Sequence, residues 1–101
     1  MSERRTAGRH EVFVPVNVST HERRDRVGMI RDLSESGVLF HSLSRYAIGE
    51  RVAVMFKLNG ERVPTSGCVV RAAVDDNADN MFRFLTAVRF DAPLLDLPLA
   101  A

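Results

Sequence analysis

The sequence predicts an all-β domain in which six antiparallel strands close into a small barrel. Three observations predict it. Apolar residues recur at every second position through most of the chain, the period of a strand with one buried face. The segments between these runs are short and carry turn chemistry, most clearly at Asn59-Gly60, where both residue types tolerate positive φ. Finally, 101 residues build one modest core, with about two-thirds of the unfolded surface buried. Six half-apolar strands enclose such a core better by closing on themselves than by leaving two open edges.

The elements follow in order. Val12, Val14, Val16 and Val18 alternate with Phe13, Pro15, Asn17 and Ser19, a β-branched strand face. Pro15 cannot donate to a ladder, so that strand is expected to lie partly on an edge or to bulge there. Residues 20–25 are polar and turn the chain. Val27 to Leu33 and Val38 to Leu43 form the next two strands, reversed by Ser34-Glu35-Ser36-Gly37. Ser44 to Gly49 reads as a loop with room for one helical turn. Val52, Val54, Phe56 and Leu58 lead into the Asn59-Gly60 hairpin, and an antiparallel strand from about Arg62 to Val74 returns. Pro64 and Gly67 suggest an irregular start or a bulge in it. Asp75 to Asn80 is a polar loop, and Phe82, Phe84, Thr86, Val88 and Phe90 mark the inward face of the last strand. In the tail, Asp91 is placed to cap a short helix with Pro93 in its first turn, which Pro98 stops. The chain therefore reads as one domain over 1–101, with a flexible arm over 1–9, a barrel over 10–90 and a tail over 91–101.

Two short motifs carry chemistry. The first is Arg4-Arg5-Thr6-Ala7-Gly8-Arg9, ahead of the first strand, and the second is Asp32-Leu33-Ser34-Glu35-Ser36-Gly37, across a hairpin turn. A guanidinium presents paired N–H donors that match O6 and N7 of guanine, and it also stacks on purines and neutralises phosphates. The opposite guanine edge offers N1–H and N2–H₂ donors, which suit the Asp32 carboxylate or the Ser34 hydroxyl. The same turn has a purely local reading, in which Asp and Ser bond nearby backbone N–H groups and Gly37 adopts a left-handed conformation. A turn of oriented N–H groups is itself an anion nest, so the two readings are compatible.

In order, spacing and strand context, these motifs resemble the RxxxR and [D/N]xSxxG pair of the PilZ domain, a bacterial receptor for cyclic diguanylate. Arg5 and Arg9 match the first motif; Asp32, Ser34 and Gly37 match the second. Ser66-Gly67-Cys68-Val69-Val70-Arg71 and Ala87-Val88-Arg89-Phe90 resemble two later strands of that family, so the likeness covers roughly residues 4 to 90. It implies a six-stranded barrel, no enzymatic activity, no cofactor and cyclic diguanylate as ligand. Arg4 directly precedes the first motif, and an arginine there implies an intercalated ligand dimer. Arg71 falls where the family often places a residue bordering the ligand, with an ordinary surface arginine on a strand as the alternative reading. The resemblance further implies an effector protein downstream, in motility, exopolysaccharide or biofilm control. Its alternative is a ligand-independent adaptor built on the same barrel, as in family members that lack the motifs. The family usually carries a longer C-terminal helix than this tail allows.

Composition excludes other classes. The formal net charge is +1, yet residues 1–31 hold seven Arg against four acidic residues, while 32–101 hold seven basic against nine acidic. Positive potential concentrated at one end suits a small anion better than DNA or RNA. A small-barrel binder of single strands also wants exposed aromatic residues on its strands, whereas Phe82, Phe84 and Phe90 share an inward face. No apolar run approaches the roughly 20 residues that span a bilayer, and no signal peptide follows Met1, so a cytoplasmic location without membrane insertion is expected. Cys68 is the only cysteine and sits in an apolar run, which favours a buried packing role. His10, His21 and His41 lack metal-ligand spacing, and Asp75 to Asn80 lacks the glycine and closing glutamate of a calcium loop. Ser34 has no nucleophile-elbow setting, and no catalytic residue is assigned.

Overall fold

A computed structural model describes residues 10–11, 14–76 and 82–94, the first two as backbone. Its strands are β1 (His10–Glu11), β2 (Pro15–Ser19), β3 (Arg26–Leu33), β4 (Gly37–Ser42), β5 (Arg51–Leu58), β6 (Glu61–Val74) and β7 (Phe84–Phe90). All pairings are antiparallel. Round the barrel the order is β3, β2, β5, β6, β7, β4, and β4 pairs back onto β3. β1 and β2 run along successive parts of β3, β1 opposite Asp32 and Leu33 and β2 opposite Arg26 to Met29, so together they form one of six staves. The predicted barrel is the observed one.

Both strand prolines sit where a strand has a single neighbour. Pro15 pairs with Met29, and the ladder of β2 to β5 begins only at Val16↔Phe56. Pro64 pairs with Met55, before the ladder of β6 to β7 begins at Gly67↔Phe90. A missing N–H costs no ladder bond at such positions. The register through Pro64 is regular, and the bulge expected near Pro64 and Gly67 lies at Val70 instead.

The alternating residues fill the interior, with Val18, Ile30, Phe40 and Val54 at most 1% exposed. The loop after β4 contains no helical turn. It drops Tyr46 into the core, 2% exposed, edge-on to Phe40 with ring centroids 6.0 Å apart. The Arg23 guanidinium covers its ring at 4.7 Å. Burial pushes the Tyr46 phenol above its ordinary range, against an opposing pull from Ser44 and Arg23. Asn59 (φ 52) and Gly60 (φ 81) make the hairpin that their types predict.

Three other expectations need correction. No helix is present among the described residues. The Asp91 carboxylate does not cap one: it accepts from Arg51 Nη1 at 2.8 Å and from the Ser66 hydroxyl at 3.2 Å, bonds that tie the start of the tail to β5 and β6. The hydrogen bond from Arg51 holds that carboxyl below its usual value. Residues 95–101, the rest of the predicted helix, lie outside the described residues. Cys68 is half-buried rather than buried, because its register between Arg51 and Arg89 puts it on the outer face. Phe82 precedes β7 instead of belonging to it, and Phe84 is half-buried at the rim with Arg45 over its ring at 5.7 Å, so of the three aromatics only Phe90 is in the core. Among the described residues no helix is long and apolar enough to cross a membrane.

Candidate functional site

Two β-bulges set the outer face at one end of the barrel. In β3, Ile30 opposes Phe40 and Asp32 opposes Leu39, leaving Arg31 as the extra residue. Without that insertion Arg31 would oppose Leu39, and Asp32 would oppose Val38 on the core side, because side chains alternate strictly along a strand. In β6, Val69 opposes Val88 and Arg71 opposes Ala87, leaving Val70 extra. The same logic applies: the bulge moves Arg71 from the side of Thr86 to the side of Ala87. Each bulge thus takes one polar side chain off the core register beside the same strand pair, Arg71 into solvent and Asp32 into the wall of a cleft where it stays largely covered.

The outcome is a cleft of about 440 Å³ whose walls include Asp32, Ser34, Ser36 and Gly37 on one side and Arg71 and Arg89 on the other, lined as well by Leu39, Val70 and Ala87. Four residues singled out from sequence, Asp32, Ser34, Gly37 and Arg71, therefore share one cleft. Arg4, Arg5 and Arg9 lie outside the described residues. Asp32 is only 8% exposed, while Arg71 stands free in solvent. Its volume falls within the range of about 300–1,000 Å³ common for small-molecule sites.

Local bonds hold the turn firmly. The Ser34 amide donates to the Gly37 carbonyl at 3.0 Å, and the Ser34 hydroxyl makes longer contacts of 3.3 to 3.4 Å with the Ser36 amide, the Ser36 hydroxyl and the Gly37 carbonyl. Bonds of that length are weak, so the hydroxyl is available to exchange them for a better acceptor or donor. Outside the turn, the Phe90 amide donates to the Ser36 carbonyl and the Leu94 amide to the Glu35 carbonyl, each at 2.9 Å. The turn is thereby fastened to the end of β7.

Gly37 plays a different part from the one expected. Its φ is not positive, so no left-handed conformation demands glycine. Contact does: a Cβ there would lie 2.3 Å from the Val88 carbonyl oxygen. β4 and β7 can approach this closely only because the side chain is missing, and Gly67 does the same on the other flank of β7, where a Cβ would sit 2.1 Å from the Arg89 oxygen.

Sequence reasoning overlooked Arg89 and Ser36 as cleft residues. The outward parity of Arg89 was readable from the alternation of Ala87, Val88 and Phe90. Its position opposite Gly37 was not, because that depends on the pairing of β4 with β7.

This fold, a closed six-stave barrel with a polar cleft over a glycine-containing hairpin, is that of a small all-β domain. Residues 3–96 match the PilZ domain, and the chain belongs to the PilZ family. No curated protein matches the sequence. Among solved structures, the Bacillus subtilis inhibitor of motility (MotI/DgrA) is similar, with a TM-score of 0.71 at 17% identity over 92% of this chain. The chain spans 45% of that protein's length, and the likeness at this identity concerns the fold.

Proposed function

We propose that the cleft is the barrel half of a cyclic diguanylate site and that residues 1–9 supply the other half. The observation that carries this reading is the convergence of Asp32, Ser34, Gly37 and Arg71 on one cleft, produced by two bulges in strands far apart in sequence. Asp32 and Ser34 take the N1–H and N2–H₂ donors of guanine, while Arg5 and Arg9 bond its O6 and N7, stack on its face and neutralise phosphate. Arg71 borders the ligand from β6. Gly37 keeps the hairpin tight against β7 so that the Ser34 and Asp32 groups face the same space.

The protein is proposed to act as a non-enzymatic receptor in the cytoplasm, with no cofactor. Arm and ligand together form a surface that the ligand-free chain lacks. An effector protein that prefers that surface is recruited in proportion to occupancy, since a ligand shifts an equilibrium only through its differential affinity for two states.

Calorimetric titration tests the reading. Cyclic diguanylate is expected to bind far more tightly than GMP or GTP, because a rigid ring presents two guanines and two phosphates at a smaller ordering cost per contact. A stacked dimer concentrates phosphate charge and purine edges, which an additional guanidinium at Arg4 satisfies. The native chain is therefore expected to take two ligands and Arg4→Leu to shift towards one. A native stoichiometry of one removes the role of Arg4; no binding by folded protein removes the receptor reading and leaves the adaptor alternative.

A further inference from the structure

Arg89, like Arg71, is a charged cleft residue that neither motif contains. Its register partner on β4 is Gly37, which has no side chain, so nothing on that strand covers the outer face beside it. On β6 its partner is Cys68. Arg71 pairs with Ala87, two residues from Arg89 along β7, which makes the two arginines diagonal neighbours on one face. Such positions lie about 7–8 Å apart at Cα, within common reach of two long side chains.

Both arginines are exposed, and neither side chain has a hydrogen bond or ion pair among the described residues. The nearest carboxylate in sequence, Asp91, is engaged by Arg51 and Ser66. Two like charges held side by side repel, and an anion placed between them relieves that repulsion. Across the same cleft stand the Ser34 and Ser36 hydroxyls, which supply further donors.

Resting on the receptor reading above, we infer that Arg89 is a ligand residue: with Arg71 it forms a phosphate clamp borne by the barrel itself, independent of the arginines of the arm. The clamp fixes a ligand phosphodiester over Gly37, and the guanine then falls towards Asp32. Any residue larger than glycine at position 37 would force β4 from β7, whose Val88 carbonyl a Cβ there meets, and so separate the turn from Arg89.

The test is titration of the full chain with cyclic diguanylate at two salt concentrations, using native protein, Arg89→Gln, Arg89→Lys and Arg62→Gln as a control from outside the cleft. Arg89→Gln is expected to bind about thirtyfold more weakly and with a shallower salt dependence, since a lost charge-assisted contact costs roughly that much and is screened by ions. Arg89→Lys should recover part of the loss, and Arg62→Gln should match native. Because a variant can alter packing, the Arg89 Nε–H resonance of the native protein is followed as well, and it should shift and gain exchange protection on ligand addition. Native binding with an unmoved Arg89 signal, or with Arg89→Gln equal to native, overturns the clamp and leaves the receptor reading intact. A native chain that binds no cyclic diguanylate overturns both.

Discussion

Arg5→Ala, Arg9→Ala and Asp32→Ala are each expected to weaken cyclic diguanylate binding about thirtyfold, the equivalent of about 2 kcal/mol for one charge-assisted contact. On the proposed reading the three act on different sides of the ligand. Each arginine removes a pair of donors that water replaces poorly once the base is covered, whereas Asp32 removes the acceptor for the opposite guanine edge. Calorimetry on the three variants checks the magnitudes. A further variant separates site from scaffold: deletion of residues 1–9 should abolish binding while the thermal transition of the barrel stays nearly unchanged, since Ala7 is the one apolar residue between Met1 and Val12 and offers little burial. A large loss of stability on deletion would show that the arm belongs to the fold. Full affinity in Asp32→Ala would show that the guanine donors are met elsewhere.

Gly37→Ala is expected to lower stability by about 1–3 kcal/mol and to weaken ligand binding with it. The Val88 carbonyl that the new Cβ would meet at 2.3 Å belongs to the backbone of β7 and cannot rotate away as a side chain does. Relief requires β4 to move, and with it the turn whose Ser36 carbonyl receives the Phe90 amide. Gly60→Ala provides the contrast. A Cβ there meets nothing within 4 Å, so only the left-handed backbone penalty of about 1–2 kcal/mol applies, and the cleft on the other side of β6 is untouched. Thermal melts and titrations of the two variants check both effects: loss of affinity should accompany Gly37→Ala alone.

The strands were legible in the sequence because a barrel core imposes one rule on every stave. Val16 and Val18, Val52, Val54 and Phe56, and Val88 and Phe90 alternate inward as their periodicity requires, and Asn59-Gly60 turns where its φ preferences allow. Tyr46 was not legible as a core residue, since it lies in a loop with no period to reveal its direction. The bulges at Arg31 and Val70 were hidden for a similar reason: neither residue type demands a bulge, and only the register against β4 and β7 discloses the insertion. The site shows the same division. Its motif residues could be named from local spacing, but the nearness of Arg71 and Arg89 to the Asp32 to Gly37 turn depends on pairings between strands distant in sequence. Glycine at position 37 was anticipated for the wrong reason, because close approach to another strand leaves no trace in the glycine's own neighbours.

Amide mapping of a cyclic diguanylate titration decides whether the cleft is the ligand site, because it reports the ligand and its location together. The expected result is a contiguous set of shifts at Ser34, Ser36, Gly37, Arg71 and Arg89, around the cleft, with Val27, Met55 and Arg62 unmoved on the groove beside β2 and β5. Shifts confined to that second groove, or none at saturating ligand in a folded sample, would contradict the assignment of the cleft as a cyclic diguanylate site.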